Sequence, residues 1–136
     1  MPTLSAKDLP TPASLRGAGQ AAAARGEPLV VMTTLAGCPY CQIVREHHLL
    51  PMLREGRIHA IQIDTRDRTS NLQGFDGVMT TPSDQARTWK ARFAPTVLFL
   101  GPDGTELAER LVGVAVPDFY GEYLDERLKQ ARARLR

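Results

Sequence analysis

The sequence predicts an α/β fold in which a mixed central β-sheet carries helices on both faces. Three observations lead there. Two apolar, β-rich runs, Leu29–Thr34 and Thr96–Leu100, read as buried strands. Segments of helical periodicity alternate with the strands. After the second run, Gly101-Pro102-Asp103-Gly104 is a hairpin turn that returns the chain antiparallel. Alternation followed by a hairpin requires a sheet with both strand directions. At 136 residues, 43% hydrophobic and 24% charged, the chain (1–136) suits one domain with a real core.

The elements follow in order. Residues 1–10 read as an extended N-terminal segment. Thr11-Pro12 reads as an N-cap and first helical position, with the helix running to Arg25 and Gly26 ending it. Leu29–Thr34 is the first strand, broken by Ala36-Gly37. A second helix opens at Cys38-Pro39, where proline is tolerated in the first turn. Ile43, Val44, Leu49, Leu50 and Leu53 form its apolar face, Pro51 kinks or restarts it, and Gly56 closes it. Ile58–Asp64 is a strand, with Ile61 and Ile63 alternating against Gln62 and Asp64. Residues 65–80 are polar and turn-rich and read as an inserted surface loop, long enough to line a functional groove. Thr81-Pro82-Ser83-Asp84 is a helix start, and that helix is expected to bring Ala86, Trp89 and Phe93 to the core. Glu106–Val112 is the returning strand. Pro117 starts a final helix whose expected apolar side is Phe119, Tyr123, Leu124 and Leu128. Its basic end, Lys129–Arg136, complements the helix dipole.

Composition excludes several classes. A formal charge of +2 and 6% aromatic residues give no basis for a nucleic-acid platform. No apolar run approaches the ~18 residues of a membrane span. There is no G-x-x-x-x-G-K-[ST], G-x-G-x-x-G or G-x-S-x-G run. The N-terminus lacks the basic start and apolar middle of a secretory signal, which leaves a cytoplasmic protein or one whose signal has been removed.

The chain has only two cysteines, Cys38 and Cys41, in Cys38-Pro39-Tyr40-Cys41. Bunched so closely they cross-link almost nothing, which points to chemistry. Positions i and i+3 share a helix face, so the two sulfurs can meet. The first cysteine lies among unpaired N–H groups at the positive end of the helix dipole, which favours its thiolate, the nucleophilic form. The second lies one turn in and is expected to be more buried. This asymmetry suits two-step exchange, in which Cys38 attacks a disulfide and Cys41 resolves the mixed disulfide. Zinc would need two more ligands. His47 and His48 are the candidates, but His48 lies about 10 Å along the helix from Cys41, so no metal site is expected. Cu(I) needs only two thiolates, which keeps open a non-catalytic binding module or copper chaperone on the same pair.

From Ala21 to Gln130 the sequence resembles the thioredoxin-like superfamily. The residues that carry this are Leu29–Thr34, Gly37-Cys38-Pro39-Tyr40-Cys41, and Phe93-Ala94-Pro95-Thr96-Val97-Leu98-Phe99-Leu100 with Gly101-Pro102-Asp103-Gly104 and Gly113. The resemblance implies a thioredoxin fold and a thiol–disulfide oxidoreductase with no cofactor beyond its own redox-active disulfide. Pro95 matches the proline that is cis beside the active site in that superfamily, and Ala94 before it would offer backbone groups to an extended substrate. Pro39, Tyr40, Ala94 and Pro95 are thereby the expected substrate-binding residues. The expected partners are disulfide or dithiol proteins and, by extension, a membrane electron donor. No nucleic acid is expected, and the chain is expected to be monomeric.

Within the superfamily the sequence looks most like bacterial periplasmic thioredoxin-related proteins of the SoxW type. The softer signals are Val44-Arg45-Glu46, Leu50-Pro51, the insertion before Thr80-Thr81-Pro82, and Phe119-Tyr120. That resemblance implies a periplasmic reductase. Cys-Pro-Tyr-Cys also occurs in glutaredoxins, but Ala94-Pro95-Thr96 and the lack of a Gly-Gly pair depart from them. Thioredoxins carry a buried Asp six residues before the first cysteine as proton acceptor for the second. Here that residue is Met32, so Cys41 must ionise by another route, with Glu46 and the histidines as candidates.

Overall fold

A computed structural model describes residues 8–115 and 117–135. The first seven residues of the expected N-terminal segment, and Arg136 of the basic tail, lie outside the described residues. The elements are α1 (Leu15–Ala24), β1 (Leu29–Thr34), α2 (Pro39–Val44), a π-helical turn (Arg45–Leu49), α3 (Leu50–Arg54), β2 (His59–Asp64), β3 (Leu72–Gln73), β4 (Met79–Thr80), α4 (Pro82–Thr88), β5 (Thr96–Leu100), β6 (Glu106–Val112), a 3₁₀ turn (Pro117–Phe119) and α5 (Tyr120–Arg134).

The main sheet runs β2-β1-β5-β6. β1 is parallel to β2 and antiparallel to β5, and β6 is antiparallel to β5. The sheet is therefore mixed, and β1 and β5 are buried along their whole length. Side chains alternate across a strand, so β1 serves two cores. Val30 and Met32 join Val97 and Phe99 of β5 under the cysteine-bearing helix and α5, against Val44, Leu49, Tyr120 and Leu124. Leu29 and Val31 join Leu98 and Leu100 on the opposite face, against Leu15, Ala22 and Leu72. Helices thus cover both faces.

Several local expectations change. The first helix begins at Leu15, capped by the Ser14 hydroxyl, which accepts from Gly17 N–H at 3.0 Å. Thr11-Pro12 does not cap it, because the carbonyls around it are spent on strand-like pairing. Gln62 N–H donates to Pro10 O and Gln73 N–H to Ala13 O, both at 2.9 Å. Residues 8–14 therefore form a strap along the outer edge of β2, with Leu9 buried in the core. The break in the second helix precedes Pro51, as the π turn Arg45–Leu49. Residues 65–80 are not wholly loop. They contain the β3–β4 hairpin, and Leu72 is core. Phe93 and Phe119 are not core either, at 64% and 49% exposed. The fourth helix stops at Thr88, which leaves Phe93 beyond it. The 3₁₀ turn delays the last helix to Tyr120, so its buried side is Tyr120, Leu124, Leu128 and Ala131, with Tyr123 outside. Ile43 is likewise exposed and Trp89 only partly buried. The basic end remains helical, and the Arg132 guanidinium holds both Glu27 carboxylate oxygens at 2.9–3.1 Å.

Candidate active site

β1 ends at Thr34, and the chain must turn sharply to start a helix over the sheet. Gly37 supplies the turn with φ +75. A Cβ there would meet no atom within 4 Å, so the left-handed backbone, not crowding, asks for glycine. Cys38 is the N-cap of α2 in extended conformation, and Pro39 takes the first helical position. There proline loses no hydrogen bond, since that N–H would be unpaired anyway.

Cys38 and Cys41 form a disulfide, with Cα atoms 5.3 Å apart. Cys38 Sγ accepts from Cys41 N–H at 3.2 Å. Cys38 Sγ thus sits at the open end of the helix, where backbone donors favour a sulfur anion. Exposure is asymmetric. Cys38 is partly exposed, whereas Cys41 is 1% exposed.

The Ala94–Pro95 peptide is cis, and Ala94 O lies 3.8 Å from Cys38 Sγ. Hydrogen bonds from both sides fix this segment. Thr33 Oγ1 accepts from Thr96 N–H at 2.9 Å and donates to Phe93 O at 3.2 Å. Gly113 N–H donates to Pro95 O at 2.7 Å. Thr33 is fully buried in β1, so its hydroxyl is satisfied by the loop it positions. Tyr40, within the motif, is 54% exposed, and Phe93, beside Ala94, is also exposed. Of the residues singled out from the sequence, Cys38, Cys41, Pro39, Tyr40, Ala94 and Pro95 are therefore held on two neighbouring segments, α2 and the turn into β5.

A cavity of about 440 Å³ opens beside Cys38, lined among others by Asp8, Thr34, Gln42, Arg45 and Asp64. No residue of 65–80 lines it. That insertion packs instead against the strap, where Ser14 Oγ donates to Gln73 Oε1 at 2.7 Å. The Arg45 side chain is only 14% exposed. Its Nη1 donates to Thr34 Oγ1 at 3.2 Å. Among the described residues its buried Nε has no hydrogen-bond acceptor, only a long ion pair to Asp8 Oδ1 at 3.8 Å. Thr33 and Arg45 were not singled out for the site. A lone Thr in an apolar strand and an Arg within a helix look like any others until the neighbouring segments are placed.

The histidines do not join the cysteines. His47 is exposed, and His48 packs its ring on Tyr120, with centroids 5.1 Å apart. Burial pulls the His48 imidazole below its ordinary value, with His47 adding to this and Asp125 opposing it. Burial also pushes the Tyr120 phenol well above its ordinary value. Among the described residues, no three or more His, Cys, Asp or Glu gather where they could hold a metal ion. The arrangement can bond and release sulfur at Cys38 and close a second bond from Cys41.

Comparison with known proteins agrees with the fold. The chain is similar to solved thioredoxins at low identity. Against the thioredoxin of Fasciola hepatica the TM-score is 0.56 at 16% identity, covering 88% of this chain and 95% of that one. Against thioredoxin NaTrxh of Nicotiana alata it is 0.55 at 20% identity, covering 86% and 90%. Against a poplar wild-type thioredoxin h it is 0.54 at 19% identity, covering 79% and 82%. No curated protein gives a significant match. The family described as a thioredoxin-like domain matches residues 15–128, a span that runs from the first residue of α1 into α5 and takes in both cysteines and Pro95, so the chain belongs to the thioredoxin-like domain family.

Proposed function

We propose that the protein is a thiol–disulfide oxidoreductase acting on partner proteins, in the periplasmic, SoxW-like manner, and working as a reductase. One observation carries the reading. The Cys38–Cys41 disulfide sits at the start of α2, 3.8 Å from the Ala94 carbonyl, with only Cys38 open to solvent. In the reducing direction, the Cys38 thiolate attacks a partner disulfide. One S–S bond breaks, a Cys38–partner bond forms, and one partner sulfur leaves as thiolate. Cys41 then attacks Cys38 Sγ, closing the internal disulfide and releasing the second partner thiolate. Two electrons pass to the partner, and water supplies its two protons. An external dithiol, of the kind a membrane donor would present, restores the pair.

Ala94 would hold the partner backbone in extended form, as in strand addition. Pro39, Tyr40 and Pro95 shape the groove, and the exposed rings of Tyr40 and Phe93 supply apolar contact. The partner is a protein, the working unit a monomer, and the internal disulfide the only redox group.

The test is exchange with insulin and with partner proteins. Cys38→Ser is expected to abolish reduction, while Cys41→Ser accumulates mixed disulfides that separate on non-reducing gels. Undiminished reduction by Cys38→Ser would overturn the reading. The midpoint potential of the pair decides direction. A value near or below that of reducing thioredoxins, about −270 mV, supports reductase, and one well above −200 mV an oxidant.

A further inference from the structure

We propose that Arg45 is the group that makes the resolving thiol, Cys41, ionise: its guanidinium lacks a tight counter-ion in the oxidised protein because the thiolate formed on reduction is that counter-ion. This rests on the oxidoreductase reading above and names how its second step works here.

Three observations converge. The position from which thioredoxins take the proton of the second cysteine is Met32, fully buried on the sheet face that α2 covers. No base stands there. Second, Arg45 N–H donates to Cys41 O, so one regular turn separates them and their side chains share a face. Helical side chains lean toward the N-terminus, which sends the guanidinium toward the sulfurs. The bond to Thr34 Oγ1 and the cavity shared with Cys38 agree with that direction. Third, the charge is mostly buried and poorly matched. Nε has no acceptor, and Asp8, the nearest carboxylate at 3.8 Å, is itself 56% exposed. A buried cationic donor held only by one hydroxyl and a loose, exposed carboxylate is costly, and native proteins leave few of them.

The surrounding charges are few. Asp8 on the strap and Asp64 at the end of β2 line the same cavity and oppose a thiolate. Asp64 Oδ1 is already engaged by Arg66 N–H at 2.8 Å. β1 offers neutral Met32, Thr33 and Thr34, and the turn into β5 offers Ala94 and Pro95. On the helix itself, Glu46 is partly exposed and Gln42 is neutral. Among the described residues, Arg45 is the one cation lining the cavity. It acts through Cys41, as a positioning residue. A fixed cation replaces a base: the proton leaves to water, and the anion left behind is held.

The test isolates Cys41. In a Cys38→Ser background, the Cys41 thiol is titrated by thiolate absorbance and by alkylation rate. Adding Arg45→Gln should raise its pKa by at least about one pH unit, and Arg45→Lys should restore most of the shift. In the dithiol protein, Arg45→Gln should slow release of mixed disulfide at pH 7 about tenfold, with the deficit closing at alkaline pH where Cys41 ionises unaided. Asp8→Asn, at an exposed side chain, serves if Arg45→Gln does not fold, and should lower the Cys41 pKa. An unchanged Cys41 pKa in Arg45→Gln, or in Asp8→Asn should Arg45→Gln not fold, overturns the proposal whatever happens to thermal stability. Failure of the oxidoreductase reading is a separate result, since wild-type protein would then not exchange with disulfides although the Cys41 titration still responds to Arg45.

Discussion

The cysteine end of the molecule and the 65–80 insertion use polar groups in opposite ways. In the insertion several polar groups close on near neighbours. Asp67 Oδ1 accepts from Thr69 N–H at 3.0 Å and Ser70 N–H at 2.9 Å, and Asp67 O accepts from Ser83 N–H at 2.8 Å. Asp76 Oδ1 accepts from Val78 N–H, and Gly74 N–H donates to Val78 O. At the cysteine end, by contrast, capacity is left open. Arg45 Nε has no hydrogen-bond acceptor among the described residues, and the rings of Tyr40 and Phe93 are exposed. Closed networks hold a shape by themselves, whereas open donors and exposed rings cost stability unless something binds. In the proposed function the insertion, although it exposes Val78 and Met79, is framework, and the α2 end is the place where a partner would complete the bonding.

The sharpest way to break this contrast is to damage each region and read both outputs. Cys38→Ala should reduce disulfide exchange to background while costing the reduced protein no more than the loss of one helix cap, about 1 kcal/mol, since that side chain caps α2 but is not core. Leu72→Ala, in the insertion, removes a side chain 2% exposed and packed with Leu15, Leu29 and Val31. It should cost about 2–5 kcal/mol of stability in denaturant titration, yet leave the exchange rate per folded molecule within about twofold of wild type. Loss of exchange in fully folded Leu72→Ala would show that the insertion serves the site. A smaller effect should come from Phe93→Ser. An exposed ring on the docking rim is worth about 1–2 kcal/mol to a partner, so KM for a protein substrate should rise about tenfold with the thermal midpoint unmoved.

That Phe93 belongs to this list was not legible in the sequence. Its helical spacing from Trp89 suggested core, but the fourth helix ends at Thr88 and the chain must then turn to enter β5. Phe119 and Tyr123 misled in the same way, because the 3₁₀ turn rotates the apolar stripe of the last helix onto Tyr120 and Leu124. Elements fixed by local chemistry were readable: the β1 and β5 runs, the Gly101–Gly104 turn, the Thr81 cap, and the spacing of Cys38 and Cys41; Pro95 stood out only through the family resemblance. What depended on distant partners was not. Thr11-Pro12 looks like a cap until Gln62 and Gln73 claim the neighbouring carbonyls. Arg45 and Thr33 gain meaning only when α2 and the turn into β5 are laid beside β1.

Titration offers a finer comparison. Hydrogen bonds from Ser70 and Thr69 hold Asp67 at about 2, below its ordinary 3.8. A depressed carboxylate stabilises the fold fully above its unfolded value and loses that contribution as pH falls through its folded one. Asp67→Asn should flatten the decline of stability between pH 3.8 and about 2, measured by denaturant titration at each pH, and should leave exchange at neutral pH unchanged.

The smallest expected effect belongs to His48, on the helix behind the cysteines. Burial, then the neighbouring His47, lowers its pKa below 6.5, against an opposing pull from Asp125. The folded protein therefore binds this proton less readily than the unfolded chain. With the sign worked through, stability is complete above pH 6.5, falls as the pH drops from 6.5 toward the folded value, and is level below it. The imidazole is partly exposed, so solvent screens the effect. His48→Gln should remove the part of the slope below pH 6.5 that His48 contributes, read as a weaker dependence of the thermal midpoint on pH. Asp125→Asn should steepen the slope, because the one group favouring the charged ring is gone. A slope unchanged in both variants would mean that the Tyr120 contact tolerates a charged ring. The helix behind the site would then be as indifferent to protons in this range as the insertion.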